Sequence, residues 1–335
     1  MKSARKLFLF ISFILVLATL GEAWYLRQKL PLPGIIDIEI PNGATLPVAM
    51  KILRKNNAVS YSIIFQQSAK IYSIVTKRKI IAGYYRFSPT ATHWDLLMSL
   101  FWGKQTVTVN VVYPEGIMLQ DFASVSARQI GLDSAEFMRL ATSDSLLKAR
   151  GISGKSVEGY LMPDTYNFFW KQRAAAVLDR LLDTQEKVWQ EYADAASEQK
   201  KTRAEILTMA SIIEAETPLN DEKKRVAGLY YNRLQKSMKL EADPTVQFAV
   251  GNKKRLTYKD LETENPYNTY RFAGLPPGPI NSPGKAAVEA AVYPERNDYL
   301  FFVAQGDGSG GHTFSKNYAD HQRAVQLYRK RRNNK

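Results

Sequence analysis

Residues Ala210–Thr217 read ASIIEAET and are closed by Pro218. They end a segment, Arg203–Thr217, in which Ile206, Leu207, Met209, Ala210, Ile212 and Ile213 recur at helical period. That pattern predicts a helix with a broad apolar stripe. Two carboxylates, Glu214 and Glu216, fall in its last turns. A helix C-terminus carries partial negative charge, so a carboxylate there is discouraged from ionising, and desolvation discourages it further. An acid that keeps its proton near neutral pH is what protonation of a leaving group requires. Glutamate is also a good helix former that mostly sits solvated on surfaces. The two side chains flank the stripe on opposite sides, so spacing does not choose between them. Glu216 stands nearer Met209, Ile212 and Ile213, and nearer the end that Pro218 forces.

Downstream, polar clusters lie in loop-like sequence. Asn232 and Arg233 end a helical stretch. Glu241-Ala242-Asp243-Pro244-Thr245 is a turn leading into a short helix. Tyr267-Asn268-Thr269-Tyr270 sets an amide between aromatic rings. Gly274–Gly284 (GLPPGPINSPG) is proline-stiffened, and His312 follows Gly310-Gly311 after the short strand Tyr299–Ala304. Such residues are ordinary turn formers. Grouped around one acid, they also suit a saccharide cleft, where rings stack on sugar faces and amides bracket hydroxyls. Candidate site residues are therefore Glu216, with Glu214, Thr217, Asn232, Glu241, Asp243, Thr245, Tyr267, Asn268, Tyr270 and His312 around it.

Other chemistries find little support. The chain has no cysteine, which excludes disulfides and thiolate chemistry. Its histidines, His93, His312 and His321, are scattered without metal-ligand spacing, so no metal site is expected. No GxSxG elbow, P-loop or dinucleotide fingerprint occurs, and no cofactor is implied.

The net charge of +14 over 335 residues implies an anionic partner. Lys2, Arg5 and Lys6 precede an apolar run from Leu7 to Trp24, long enough to cross a bilayer as a helix. It exceeds a usual signal-peptide core and lacks a clean cleavage site, which favours a retained anchor over a cleaved signal. Basic residues ahead of it keep the N-terminus cytoplasmic and send the rest across the membrane, which argues against nucleic acid as the partner. The basic tail Arg329, Lys330, Arg331, Arg332 and Lys335 reads as a solvated terminus.

Between the anchor and Tyr113 the pattern is strand, helix, helix, strand, helix, strand. The elements are Ile35–Ile40, with a turn at Pro41-Asn42-Gly43, then Leu46–Asn56 capped by Thr45, Ser60–Thr76, Gly83–Phe87, a helix from Thr92 to Trp102, and Thr106–Tyr113. This predicts a compact α+β module of about 80 residues. Residues 114–200 read as mostly helical, with a break at Gly159–Tyr166 (GYLMPDTY). A terminal helix starts near Asn317.

The runs MASIIEAET, NRL, DPTV, YNTY, GLPPG and GGHTF, preceded by GYYRF, YPEG and GYLMPDTY, resemble in order and number the endolytic murein transglycosylase family, also called YceG-like. The resemblance spans nearly the whole chain. It implies an α+β protein of three parts: a cytoplasmic tip and transmembrane anchor (1–29), a LysM-like membrane-proximal module (30–113) and a mainly helical, lysozyme-like catalytic domain (114–335). It implies a single-pass inner-membrane protein with its bulk in the periplasm, acting on peptidoglycan glycan strands, with a peptidoglycan synthase as a further partner. Within that resemblance, Glu216-Thr217 matches the acid followed by a small hydroxyl residue at a helix end, and Glu214-Ala215 does not. Tyr267-Asn268 matches the pair lining the glycan cleft. The implied reaction closes the muramic C6 hydroxyl onto C1, giving a 1,6-anhydro end. The alternatives are a lysozyme-type hydrolase using Glu241 or Asp243 as second carboxylate, and an inactive peptidoglycan-binding scaffold.

Overall fold

The first element is a long apolar helix, α1 (Lys2–Arg27), whose stretch Leu9–Arg27 is long and apolar enough to cross a membrane, with a mean hydropathy of 1.9. The computed structural model describes residues 2–41, 43–251 and 255–333. The chain divides into two units: Met1–Asn110 with Asn167–Gln172, and Val111–Tyr166 with Arg173–Lys335. The mixed α+β class expected from the sequence is the one the chain adopts.

In the first unit, β1 (Ile36–Ile40) is followed by α2 (Leu46–Lys55), α3 (Ser62–Thr76), β2 (Gly83–Phe87) and α4 (His93–Trp102); β3 (Thr108–Val112) begins in this unit and runs on into the second. β1 and β2 pair antiparallel with Ile38 opposite Tyr85. Period-2 alternation sends Ile38, Ile40, Tyr85 and Phe87 inward, where they meet Met50, Leu53, Phe65, Leu96, Leu100 and Phe101. The boundaries of α4 follow local chemistry. Thr92 and Asp95 form a capping box at its start, and Gly103 ends it at φ +70°. Thr45 stands at the N-cap of α2 without a side-chain bond, with Pro47 in the first turn. Asn42 of the expected turn lies outside the described residues. β3 starts later than expected because Thr106 is used in a bridge to Tyr85.

The second unit continues with α5 (Leu119–Ile130), α6 (Ser134–Ala141), α7 (Asp144–Ala149), β4 (Thr165–Phe169), α8 (Ala174–Gln190), α9 (Ala193–Glu198), α10 (Arg203–Glu216), α11 (Asn220–Gln235), α12 (Asp243–Ala249), α13 (Tyr258–Leu261), α14 (Lys285–Val292), β5 (Phe301–Ala304), β6 (His312–Ser315) and α15 (Tyr318–Asn333). β4, whose residues from Asn167 belong to the first unit, pairs with β3, which likewise runs through both units, and β5 pairs with β6 antiparallel. β4 was expected as part of a turn-rich break. Its alternation, Tyr166 and Phe168 inward, is only five residues long and follows a proline-containing turn. α14 was not expected at all. Its alanines contribute little to an apolar stripe, yet they let it pack closely on α10 and α11. Arg329–Arg332 extend α15 as exposed helix, and Lys335 lies outside the described residues.

α10 is the central helix of this unit. A capping box between Thr202 and Glu205 starts it, and every residue from Ile206 to Ile213 is buried. Burial on all sides is what a helix enclosed by neighbours requires. Here those neighbours are α11, α12 and α14. The Gly274–Gly284 loop docks on it as well. The backbone N–H of Ile280 donates to Ser211 Oγ at 3.0 Å, and Asn281 Nδ2 donates to the Ser211 carbonyl at 2.8 Å. Thr217, preceding Pro218, takes an extended backbone that ends the helix.

Candidate active site

Glu216 is the last residue of α10, and its carboxyl group turns into a polar cavity of about 260 Å³. From the next helix, the Tyr230 hydroxyl donates to Glu216 Oε1 at 2.6 Å. The carboxyl reaches the cavity but is densely surrounded by protein atoms. Burial therefore pushes it up to about 7 from its ordinary 4.5; the Tyr230 bond opposes that shift and the negative charge of Asp243 adds to it. Burial, together with the neighbouring Glu216, pushes the Tyr230 phenol well above its usual value, so it stays a donor.

Two further carboxylates line the cavity, and each has a partner. Tyr270 Oη donates to Asp243 Oδ1 at 2.7 Å. Glu241 pairs with Arg233, whose Nε and Nη1 donate to the carbonyls of Lys239 at 2.9 Å and Leu300 at 3.1 Å. One guanidinium thus ties the end of α11 to the turn before α12 and to the approach to β5. Leu240, Phe301 and Phe302 complete an apolar side of the cavity, with the His321 ring stacked on Phe301 at 5.3 Å. Burial, with Arg233 nearby, lowers the pKa of His321. The arrangement offers one protonated acid, one fixed cation and aromatic faces, which suits proton transfer to a neutral, ring-containing substrate. Among the described residues, no group of three or more His, Asp or Glu side chains is placed to hold a metal ion.

The model of the YceG-like family matches residues 38–327, which include α10 and every cavity residue. The chain belongs to the YceG-like family. A relative named endolytic murein transglycosylase from Bacillus subtilis (strain 168) is 30% identical over 319 residues, covering 90% of this chain and 86% of the relative. A protein of the same name from Streptococcus pneumoniae serotype 2 is 28% identical over 356 residues, covering 94% of this chain and 64% of that longer protein. The crystal structure of a YceG-like protein from Listeria monocytogenes aligns with a TM-score of 0.60 at 34% identity, covering 88% of this chain and 99% of that one.

In this YceG-like chain the two glutamates left equivalent by spacing have different surroundings. Glu214 is 7% exposed and paired with Lys223 at 2.8 Å, itself 2% exposed; its other oxygen accepts the backbone N–H of Gly284 at 3.0 Å. Both oxygens are thus engaged, one by Lys223 of α11 and the other by the end of the Gly274–Gly284 loop. Of the remaining sequence candidates, the cavity brings together Glu216, Glu241, Asp243 and Tyr270. Thr217 is buried, and its Oγ1 accepts the backbone N–H of Leu219 at 3.1 Å and lies 3.4 Å from Glu222, which in turn holds His312 Nδ1 at 2.7 Å. Asn232 fastens Asn297 and Tyr299 through their carbonyls. Thr245 and Thr269 bond to each other at 2.8 Å. Asn268 is buried, with its amide donating to the carbonyls of Leu261 and Thr263. Tyr267 packs on Phe248 at 4.8 Å. These residues hold the frame rather than line the cavity.

Sequence reasoning missed Tyr230, His321, Phe301 and Phe302, and took Arg233 only as a helix end. Tyr230 and Arg233 are three apart on α11, hence on one face. Glu158 was missed as well. It lies away from the cavity and accepts the backbone N–H of Leu119, at the start of α5, with both oxygens at 3.1 Å. Burial pushes it up to about 7.

Proposed function

We propose that this protein is a membrane-anchored endolytic murein transglycosylase that cuts peptidoglycan glycan strands between N-acetylmuramic acid and N-acetylglucosamine without using water. The observation that carries this reading is Glu216: a carboxylic acid with a pKa of about 7, held by Tyr230 in the wall of an aromatic-sided cavity. The relatives named endolytic murein transglycosylase support the same reading.

In the proposed reaction Glu216 donates its proton to the glycosidic oxygen as the bond from C1 of the muramic residue breaks. The C6 hydroxyl of the same sugar then attacks C1, and Glu216, now a carboxylate, takes up the hydroxyl proton. The acid is regenerated, the product is a 1,6-anhydro end, and no second carboxylate is required. A hydrolase would need a second carboxylate to activate water or to attack. The candidates for that role, Asp243 and Glu241, are already engaged by Tyr270 and Arg233. Phe301, Phe302 and Tyr270 would carry the sugar faces, and Arg233 a polar substituent.

Residues 30–113 are read as a LysM-like module beside the membrane, and residues 114–335 as a lysozyme-like catalytic domain in the periplasm. Lys2, Arg5 and Lys6, in the first turns of α1 ahead of its apolar stretch, support a cytoplasmic N-terminus in the inner membrane. Retention of α1 is supported by Tyr25, which is buried in the first unit and donates to the Ser60 carbonyl. Cutting within nascent strands would limit their length, and a peptidoglycan synthase is the expected partner. Mass spectrometry of purified peptidoglycan digested by the full-length protein in detergent tests the proposal. Anhydro-ended fragments that vanish with Glu216→Gln support it; undiminished activity in that variant overturns it.

A further inference from the structure

α3 carries its branched aliphatic side chains on the wrong face for a helix in water. Its inward face presents Phe65, Ser68, Ala69 and Tyr72 to the first unit's core. Its outward face, at spacing i, i+1, i+4, i+7, i+8, i+11, i+12, is Ile63, Ile64, Gln67, Lys70, Ile71, Ile74 and Val75. Ile63 is 73% exposed, Ile74 67% and Val75 75%. Five aliphatic side chains in one helical stripe form a contiguous patch rather than scattered surface residues.

The neighbour of this stripe is the apolar helix α1. Ile63, Ile64 and Ile71 of α3 line one groove, of about 590 Å³, together with Ala18, Gly21 and Trp24 of α1. Ala18 stands about 14 Å along the axis from Arg27, the end of the apolar stretch. A helix that lies alongside Ala18 therefore lies beside the part of α1 that a bilayer would surround. The C-terminal end of α1 is also held against α4 of the same unit. Tyr25 is packed against His93 at 4.4 Å, and the Gln28 carbonyl accepts the His93 backbone N–H at 3.0 Å.

We propose that α3 is embedded in the outer leaflet of the membrane that α1 spans, with its Ile63–Val75 stripe in contact with lipid acyl chains. This rests on the reading of α1 as a retained anchor. The occupant follows from continuity with the exposed apolar surface of α1 and from the residues at the rim. Glu22 of α1 and Gln67 of α3 add polar groups to the lining of the groove, which suits interfacial depth rather than the bilayer centre. Trp24, Tyr61, Trp94 and Trp102 are exposed aromatics on the same unit, the residue types that settle at headgroup level. Arg78 lies over the Trp102 ring at 3.3 Å. Lys70, Lys77, Arg78 and Lys79 on and just after α3 would meet anionic headgroups. An interfacial helix of this kind fixes the height and tilt of the first unit above the bilayer.

The absence of native cysteine allows single nitroxide labels at Ile63→Cys and Ile74→Cys, with Ile14→Cys in α1 and Ser197→Cys as lipid and water references. The full-length protein is reconstituted in vesicles of phosphatidylethanolamine and phosphatidylglycerol. Accessibility to oxygen and to a water-soluble nickel chelate is then read by spin resonance. Labels at 63 and 74 with an oxygen-to-nickel ratio several-fold above that at 197, and towards that at 14, bear the proposal out. Water-like ratios at 63 and 74, with a lipid-like ratio at 14, overturn it while leaving the anchor intact. A water-like ratio at 14 overturns the anchor and this proposal together. Shielding of 63 and 74 from both reagents shows a protein partner, such as a second copy, and also overturns it.

Discussion

The Tyr230 hydroxyl donates to Glu216 Oε1 at 2.6 Å, and this bond works against the burial that keeps the acid protonated. Burial destabilises the carboxylate, whereas a donor aimed at it stabilises the charged form. Their balance sets where the acid titrates. Tyr230→Phe keeps the ring in its buried place and removes only the donor. Glu216 should then titrate higher, and the alkaline limb of the activity profile should move to higher pH. The carboxylate formed after the first proton transfer also loses its partner, so the maximum rate should fall about tenfold, in line with one hydrogen bond to a charged group. Rate measured against pH for both proteins checks this.

Stability should decline as pH rises through neutrality. Glu216 and Glu158 both have folded-state pKa values near 7, above their ordinary 4.5. Between those values the folded chain holds protons that the unfolded chain has lost, so folding weakens with rising pH. Glu216→Gln carries no such proton. Its melting temperature relative to wild type should therefore be higher at pH 8 than at pH 5, with Glu158→Gln showing the same trend. Thermal melts at the two pH values decide it.

Glu214→Gln should unfold the chain more readily rather than disable the chemistry. It takes the charge from the 2.8 Å partner of Lys223, which is 2% exposed, and leaves that ammonium only the longer 3.9 Å pairing with Glu115. Breaking one side of a buried pair costs about 3–5 kcal/mol. Denaturant titration should show that loss. Activity per folded molecule at low temperature should fall far less than the hundredfold or more expected from removing a general acid.

Gly228 is a sharper test of packing. A β-carbon there would sit 2.2 Å from the Glu295 carbonyl oxygen and 2.6 Å from Asn297 Nδ2. Gly228→Ala must push the 295–297 segment off α11, and should destabilise by about 1–3 kcal/mol. Gly284→Ala meets Glu115 at 1.9 Å, but that side chain is half exposed and can swing aside. Its cost should be the smaller of the two when both variants are unfolded in denaturant.

Where local chemistry was decisive, the sequence was legible. Helix α4 runs from its Thr92 cap to Trp102 as expected, Gly83–Phe87 is a strand at the residues expected, and the Glu214–Glu216 segment ends a buried helix. What stayed hidden depends on contacts between distant segments. Spacing could not show that Glu214 faces Lys223 across the turn after Pro218, or that Tyr230 reaches back to Glu216. Asn268 is a polar residue in a turn in either reading; only its three-dimensional neighbours show that its amide is used up on Leu261 and Thr263. β4 was missed because five alternating residues beside a turn carry too little periodicity to stand against helices on both sides.

The central claim is that Glu216 transfers a proton both ways while the substrate supplies its own nucleophile. Digesting peptidoglycan with the wild-type protein in oxygen-18 water and weighing the muramic ends tests this most directly. The account predicts anhydro ends with no label. Reducing muramic ends carrying oxygen-18 would contradict it, and would return Asp243 or Glu241 to the role of a second catalytic carboxylate.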